Sequence, residues 1–141
     1  MRAKYRPVSE LGRGAYGLVL GCVEKATGQH VACKAVDVTA LLKTRDGPNI
    51  IRRLKAEVGV MSYLAGHPNI VNLRNFYESA SHIFLVQELC TGGTLKDVFR
   101  LAPGAACEAR IAGLFRGLVK SVLHCHQVGA RALLYTRIVG T

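Results

Sequence analysis

The stretch Gly12-Arg13-Gly14-Ala15-Tyr16-Gly17-Leu18-Val19 decides how the rest of the chain is read. Its three glycines stand in G-x-G-x-x-G spacing. Glycine permits unusual backbone angles and carries no side chain, so main-chain N–H groups can approach phosphate oxygens closely. Taken alone, the motif describes a ligand-free hairpin turn just as well. Two nucleotide-binding architectures compete for it. A dinucleotide fold needs a buried parallel strand before the motif, a helix opening at it, and an acid about 20 residues later. Asp37 stands at that distance. Arg6, Pro7, Ser9 and Glu10 make a poor buried strand, however, because such strands are almost continuously apolar. Leu18 to Val23 has no helical face either. The alternative makes the motif a turn between two antiparallel strands. It asks for a valine two residues after the third glycine and a lysine on the next strand. Val19 and the run Val31-Ala32-Cys33-Lys34 meet both demands.

Working outward, residues 5–11 predict a short strand and Leu18–Val23 a second, apolar and partly β-branched. Ala26-Thr27-Gly28-Gln29 predicts a turn, and His30–Val38 a third strand with alternating faces. Residues 39–49 read as a connection broken at Asp46-Gly47-Pro48-Asn49. Ile51, Leu54, Val58 and Met61 recur at helical spacing, and His67-Pro68-Asn69 ends that region. Val71–Tyr77 and Ile83–Leu89 predict two more strands around a turn at Glu78–Ser81. Thr91-Gly92-Gly93 is a break, with a short helix expected from Thr94. Ile111, Leu114, Phe115, Leu118, Val119 and Val122 form a strong helical stripe from Ala109 to Gln127. The order is α+β: five strands with one helix inserted, then helices.

Composition narrows the function classes. The 141 residues suit one domain, and 50% hydrophobic against 20% charged residues is enough apolar material for a core. No apolar run is long enough to cross a membrane, and the start MRAKYRPVSE lacks the apolar stretch of a secretory signal. Nineteen Lys+Arg against nine Asp+Glu give a net charge of +10, which suits anionic partners. No basic stripe with interleaved aromatics marks a nucleic-acid surface, so none is expected as a partner. Cys22, Cys33, Cys90, Cys107 and Cys125 form an odd set without C-x-x-C spacing, so reduced thiols and no metal site are expected. This composition and start suggest a cytoplasmic protein, with the nucleus as the alternative.

The motifs together resemble the eukaryotic serine/threonine protein kinases, closest to the calcium/calmodulin-dependent and calcium-dependent groups. The resemblance is carried by Gly12–Val19, Val31–Lys34, Glu57, His67-Pro68-Asn69-Ile70-Val71 and Leu85–Gly93, in that order. It implies a partial kinase domain over 5–129, with a five-stranded lobe and one helix at 5–88. The hinge and first helices of the second lobe would occupy 89–129, and 130–141 would be a divergent tail. It implies ATP as cofactor, cradled by Gly12, Arg13, Gly14, Ala15, Tyr16, Gly17 and Leu18. Lys34 would pair with the α- and β-phosphates, and Glu57 would hold Lys34. Leu11, Val19 and Ala32 would line the adenine slot, with Glu88 and Cys90 on the hinge. Gln87 replaces the usual bulky apolar residue at the back of the slot. Thr94 replaces the acid often placed to meet the ribose. A protein substrate or regulator is implied as partner.

Mg²⁺ is expected for the family, but its ligands are not found here. The H-R-D triplet would fall at 132–134, where Ala132, Leu133 and Leu134 stand, and no aspartate follows Asp97. The expectation is therefore a truncated kinase, inactive alone, with a non-catalytic nucleotide- or protein-binding fragment as the alternative. The apolar stripe of the last helix also suggests self-association.

Overall fold

Strands β1 (Tyr5–Gly14) and β2 (Gly17–Glu24) pair antiparallel, with Gly14 opposite Gly17 and only Ala15 and Tyr16 turning between them. The computed structural model describes residues 1–93 and 105–129. The helix expected from Thr94, and the residues from 130 onward, lie outside the described residues. β3 (His30–Asp37) pairs with β2, β5 (His82–Glu88) with β3, and β4 (Leu73–Glu78) with β5. The five-stranded antiparallel sheet has the order β1-β2-β3-β5-β4. A hairpin at the glycine motif removes the dinucleotide alternative, because that fold needs a helix where β2 lies.

Two differences from the sequence reading concern the segment after β3. Residues Val38–Leu41 form a short helix, α1, where a plain connection was expected. Asp37 caps it: its carboxylate accepts from the Ala40 N–H at 3.0 Å and from the Thr39 hydroxyl at 2.7 Å. Helix α2 then runs Gly47–Tyr63, starting earlier than its apolar spacing suggested. Pro48 suits a first helical position, where a missing N–H costs nothing. Gly47 has a steric reason as well, since a Cβ there would collide with the Leu41 carbonyl oxygen.

The sheet buries two apolar clusters, and strand alternation explains their separation. Val31 and Cys33 point to one side and pack with Tyr5, Cys22 and Val86. Val36 points to the other and packs with Val38, Ile83, Leu85 and Leu54 of α2. Burying each such aliphatic side chain contributes about 1.5–3 kcal/mol. On the solvent side of α2, Lys55 reaches Glu78 at 2.6 Å. That pair is about half exposed and adds little to stability.

The chain divides into two compact units. The first comprises Met1–Ser62 with Leu73–Leu89, and so holds the whole sheet. The described part of the second comprises Tyr63–Asn72, residues 90–93 and residues 105–129, which include helix α3 (Ala105–Gln127). Within it Leu64, Ile70, Ser121 and Cys125 are buried. Ser121 satisfies its hydroxyl on the carbonyls of Leu118 at 2.8 Å and Gly117 at 3.1 Å. Phe115, Val119 and Leu123 stand exposed along α3. No described helix is long and apolar enough to cross a membrane.

Candidate functional site

The strand register brings the expected site residues into rows across the sheet. Gly12 lies opposite Val19, Val19 opposite Lys34, and Lys34 opposite Leu85. The next row in phase sets Gly21 opposite Ala32 and Ala32 opposite Gln87. Alternation with period two therefore puts Val19, Gly21, Ala32, Lys34, Leu85 and Gln87 on one face. Leu11 joins them. It is the extra residue of a bulge between Glu10 and Gly12, and its side chain lies over the position a Gly21 Cβ would take. Helix α2 covers part of the same face, because Leu54 packs with Val36, Ile83 and Leu85.

The three motif glycines do different work. A Cβ on Gly12 would meet nothing within 4 Å, and one on Gly14 only the Gly17 carbonyl oxygen at 3.8 Å. Gly12 also has φ 154°, a backbone angle that L side chains rarely adopt. These two glycines leave open room beside the hairpin. Gly17 is different: its Cβ would strike the Ala35 carbonyl oxygen, so glycine there is required by the pairing of β2 with β3.

Glu57 is 6% exposed, on the inward side of α2 between Leu54 and Met61. Its Oε1 is buried with no hydrogen-bond partner. Lys34, half-buried, is on the sheet face that α2 packs against. The expected Glu57–Lys34 ion pair is nevertheless not formed: no carboxylate oxygen of Glu57 lies within 4.0 Å of the Lys34 ammonium. A buried carboxylate oxygen without a donor is costly, so it marks a place where an incoming cation or donor would be favoured. One turn further on, Gln87 Nε2 donates to Met61 Sδ at 3.2 Å. The unusual polar residue behind the slot is thus engaged by α2, a contact that the sequence reading missed. No periodicity rule connects a strand residue to a helix residue so far away in sequence.

The remaining expected residues fall elsewhere. Leu18 pairs with Ala35 and points to the face opposite Val19. With Ala15, Tyr16 and Gly17 it lines an open cleft of about 430 Å³ whose other walls include Ala35, Asp37, Leu41 and His82. Arg13 lies 3.5 Å from Glu10 in an exposed pair. Glu88 ends β5 opposite Val31. Cys90 is an exposed thiol that belongs to the second unit. Asp37, the acid that a dinucleotide fold would have used, is occupied as the α1 cap. Its bonds to the Thr39 hydroxyl and then the Ala40 N–H hold its carboxyl below the usual range. Beneath the sheet, burial pushes the Cys33 thiol up to about 12, and Cys22 is raised by the same cause. Both are inert thiols. Among the described residues no group of three or more His, Cys, Asp or Glu could hold a metal.

A five-stranded antiparallel sheet, a glycine hairpin and a strand lysine facing a helix carboxylate define the smaller lobe of a protein kinase. The protein kinase domain family matches residues 5–133, and the chain belongs to that family. It is similar to calcium-dependent protein kinase 17 of Arabidopsis thaliana, at 40% identity over 92% of this chain. Calcium-dependent protein kinase 26 of Oryza sativa subsp. japonica is likewise 40% identical over 92% of the chain. Calcium-dependent protein kinase 29 of Arabidopsis thaliana is 36% identical over the same share. The chain spans 24% of the first of these relatives and 23% of each of the other two.

Proposed function

We propose that this chain binds ATP through the Gly12–Gly17 hairpin and Lys34, as the nucleotide-binding portion of a serine/threonine protein kinase. The observation that carries the reading is the shared face. Leu11, Val19, Ala32 and Lys34 gather there beside two glycines with open space, and a buried Glu57 oxygen awaits a partner. The residues fit the nucleotide. Main-chain N–H groups at Gly12 and Gly14 can turn toward phosphate oxygens without a side chain in the way. Lys34 would neutralise phosphate charge, and Leu11, Val19 and Ala32 offer an apolar surface to a purine. Bound ATP supplies the phosphoryl group that the family transfers to protein hydroxyls.

Transfer asks for more than this face provides. The family holds Mg²⁺ and orients the hydroxyl with carboxylates of H-R-D-x-x-x-x-N and D-F-G. Residues 1–141 carry Ala132, Leu133 and Leu134 at the first of these and no aspartate beyond Asp97. The activity proposed for these residues is accordingly binding, with transfer assigned to chains that carry both segments. Titration of a fluorescent ATP analogue tests the reading. Lys34→Met and Gly14→Asp should each weaken binding by about tenfold or more, equivalent to ~1.4 kcal/mol. Unchanged affinity in both variants overturns it.

A further inference from the structure

In the second unit, the loop that leaves α2 is fastened to α3 by ring contacts that the nucleotide face does not use. The imidazoles of His67 and His124 stack with centroids 4.8 Å apart and planes inclined by 21°. Beside them the Asn69 side chain lies against Gly117, where even a Cβ would come to 3.2 Å from its Oδ1. The turn is tight. Ile70 N–H donates to the His67 carbonyl at 3.1 Å, and Gly66 N–H donates to Asn72 Oδ1 at 2.9 Å.

One further bond fixes the state of the ring. The Asn69 main-chain N–H donates to His67 Nδ1 at 3.2 Å. A main-chain N–H can only donate, so Nδ1 must be the bare nitrogen and Nε2 must carry the proton. His67 is therefore held neutral. A second proton would sit on Nδ1 and set donor against donor.

We propose that His67 and His124 form an acid-released latch that holds the turn His67–Ile70 on α3. Adding a proton to His67 breaks the Asn69 bond and places an imidazolium against the His124 ring and the Lys120 ammonium. Among the described residues, His124 and Lys120 are the charged or titratable groups acting on His67, and no carboxylate is among them to offset the new charge. The turn itself contributes only Pro68, Asn69 and Ile70, none of which titrates. Burial, then His124, then Lys120, holds the His67 imidazole below its ordinary value. The unfolded chain thus binds the proton more readily than the folded one. The latch is at full strength above the ordinary histidine value of about 6.5, and it weakens as pH falls through the folded value. Release frees the segment between α2 and β4.

The test uses the full 141-residue chain. Long-range ¹H–¹⁵N spectra of the imidazoles should show His67 with a bare Nδ1 at neutral pH, titrating below the ordinary histidine value. Amide exchange of residues 64–72, corrected for intrinsic rates, should rise about tenfold from about pH 7.5 to about pH 5.5 while β1–β5 stay protected. His67→Phe, which keeps a stacking ring but takes no proton, should abolish that acid response. A protonated Nδ1 at neutral pH overturns the proposal in the unaltered chain. So does an equal acid response in His67→Phe.

Discussion

Gly17 and Gly14 look alike in the motif, yet only one of them has a neighbour in the way. A Cβ on Gly17 would strike the Ala35 carbonyl, whereas Gly14 has room. Gly17→Ala should therefore destabilise the first unit by about 1–3 kcal/mol through overpacking, read as a lower urea midpoint. Gly14→Ala should leave the unfolding free energy within about 0.5 kcal/mol of the unaltered chain. The two substitutions separate a structural glycine from one that leaves space for a ligand. The three-glycine spacing was legible in the sequence, but these separate roles were not. They depend on which strand lies against β2, and that is a matter of register. Lys34 was legible too, because the lysine slot after the hairpin has a fixed position on the next strand. The missing Lys34–Glu57 bond was not legible, because it turns on a separation between two elements far apart in sequence.

At the level of elements, α2 owes its place to its apolar side. Leu54 is 3% exposed and packs with Val36, Ile83 and Leu85. Leu54→Ala should cost about 2–5 kcal/mol, measured by chemical unfolding of the first unit. It should also weaken nucleotide binding beyond the loss of fold, since α2 carries Glu57. Helix α2 was readable from its spacing of three and four, and its start was not. The true start depends on Gly47 approaching the Leu41 carbonyl and on Pro48 fitting a first turn. Helix α1 escaped notice for a related reason. It is four residues long, too short for periodicity, and its one local sign was the capping residue Asp37. That aspartate had invited a different use, as the ribose acid of a dinucleotide fold. Since Asp37 is held below the usual carboxylate range, its capping is complete above that range and is lost as pH falls through the folded value.

Across the first unit, the sheet brings its two edges together. β1 and β4 are the outermost strands, yet the Asn75 amide donates to the Tyr5 hydroxyl and the Tyr5 and Tyr77 rings meet edge to face at 6.4 Å. Strand twist, accumulated over five strands, makes that closure available. Tyr5 is 1% exposed, so Tyr5→Phe should cost about 1 kcal/mol or somewhat more, because Asn75 loses its acceptor in a part-buried place. Thermal unfolding of the two proteins at one pH measures it. The sequence by itself determined the antiparallel hairpin and the order of the five strands with α2 and α3, and through its resemblance to the protein kinases it pointed to the family and to the lysine and glycines of the proposed nucleotide face. The elements could be read because they rest on local rules: alternation, helical spacing, and the freedom of glycine. Tertiary structure alone decided which residues meet across distance. It set Met61 on Gln87, left a Glu57 oxygen buried without a partner, and stacked His67 on His124. The physical reason is that such contacts are fixed by how separate elements pack, and no local pattern in the chain encodes the space between them.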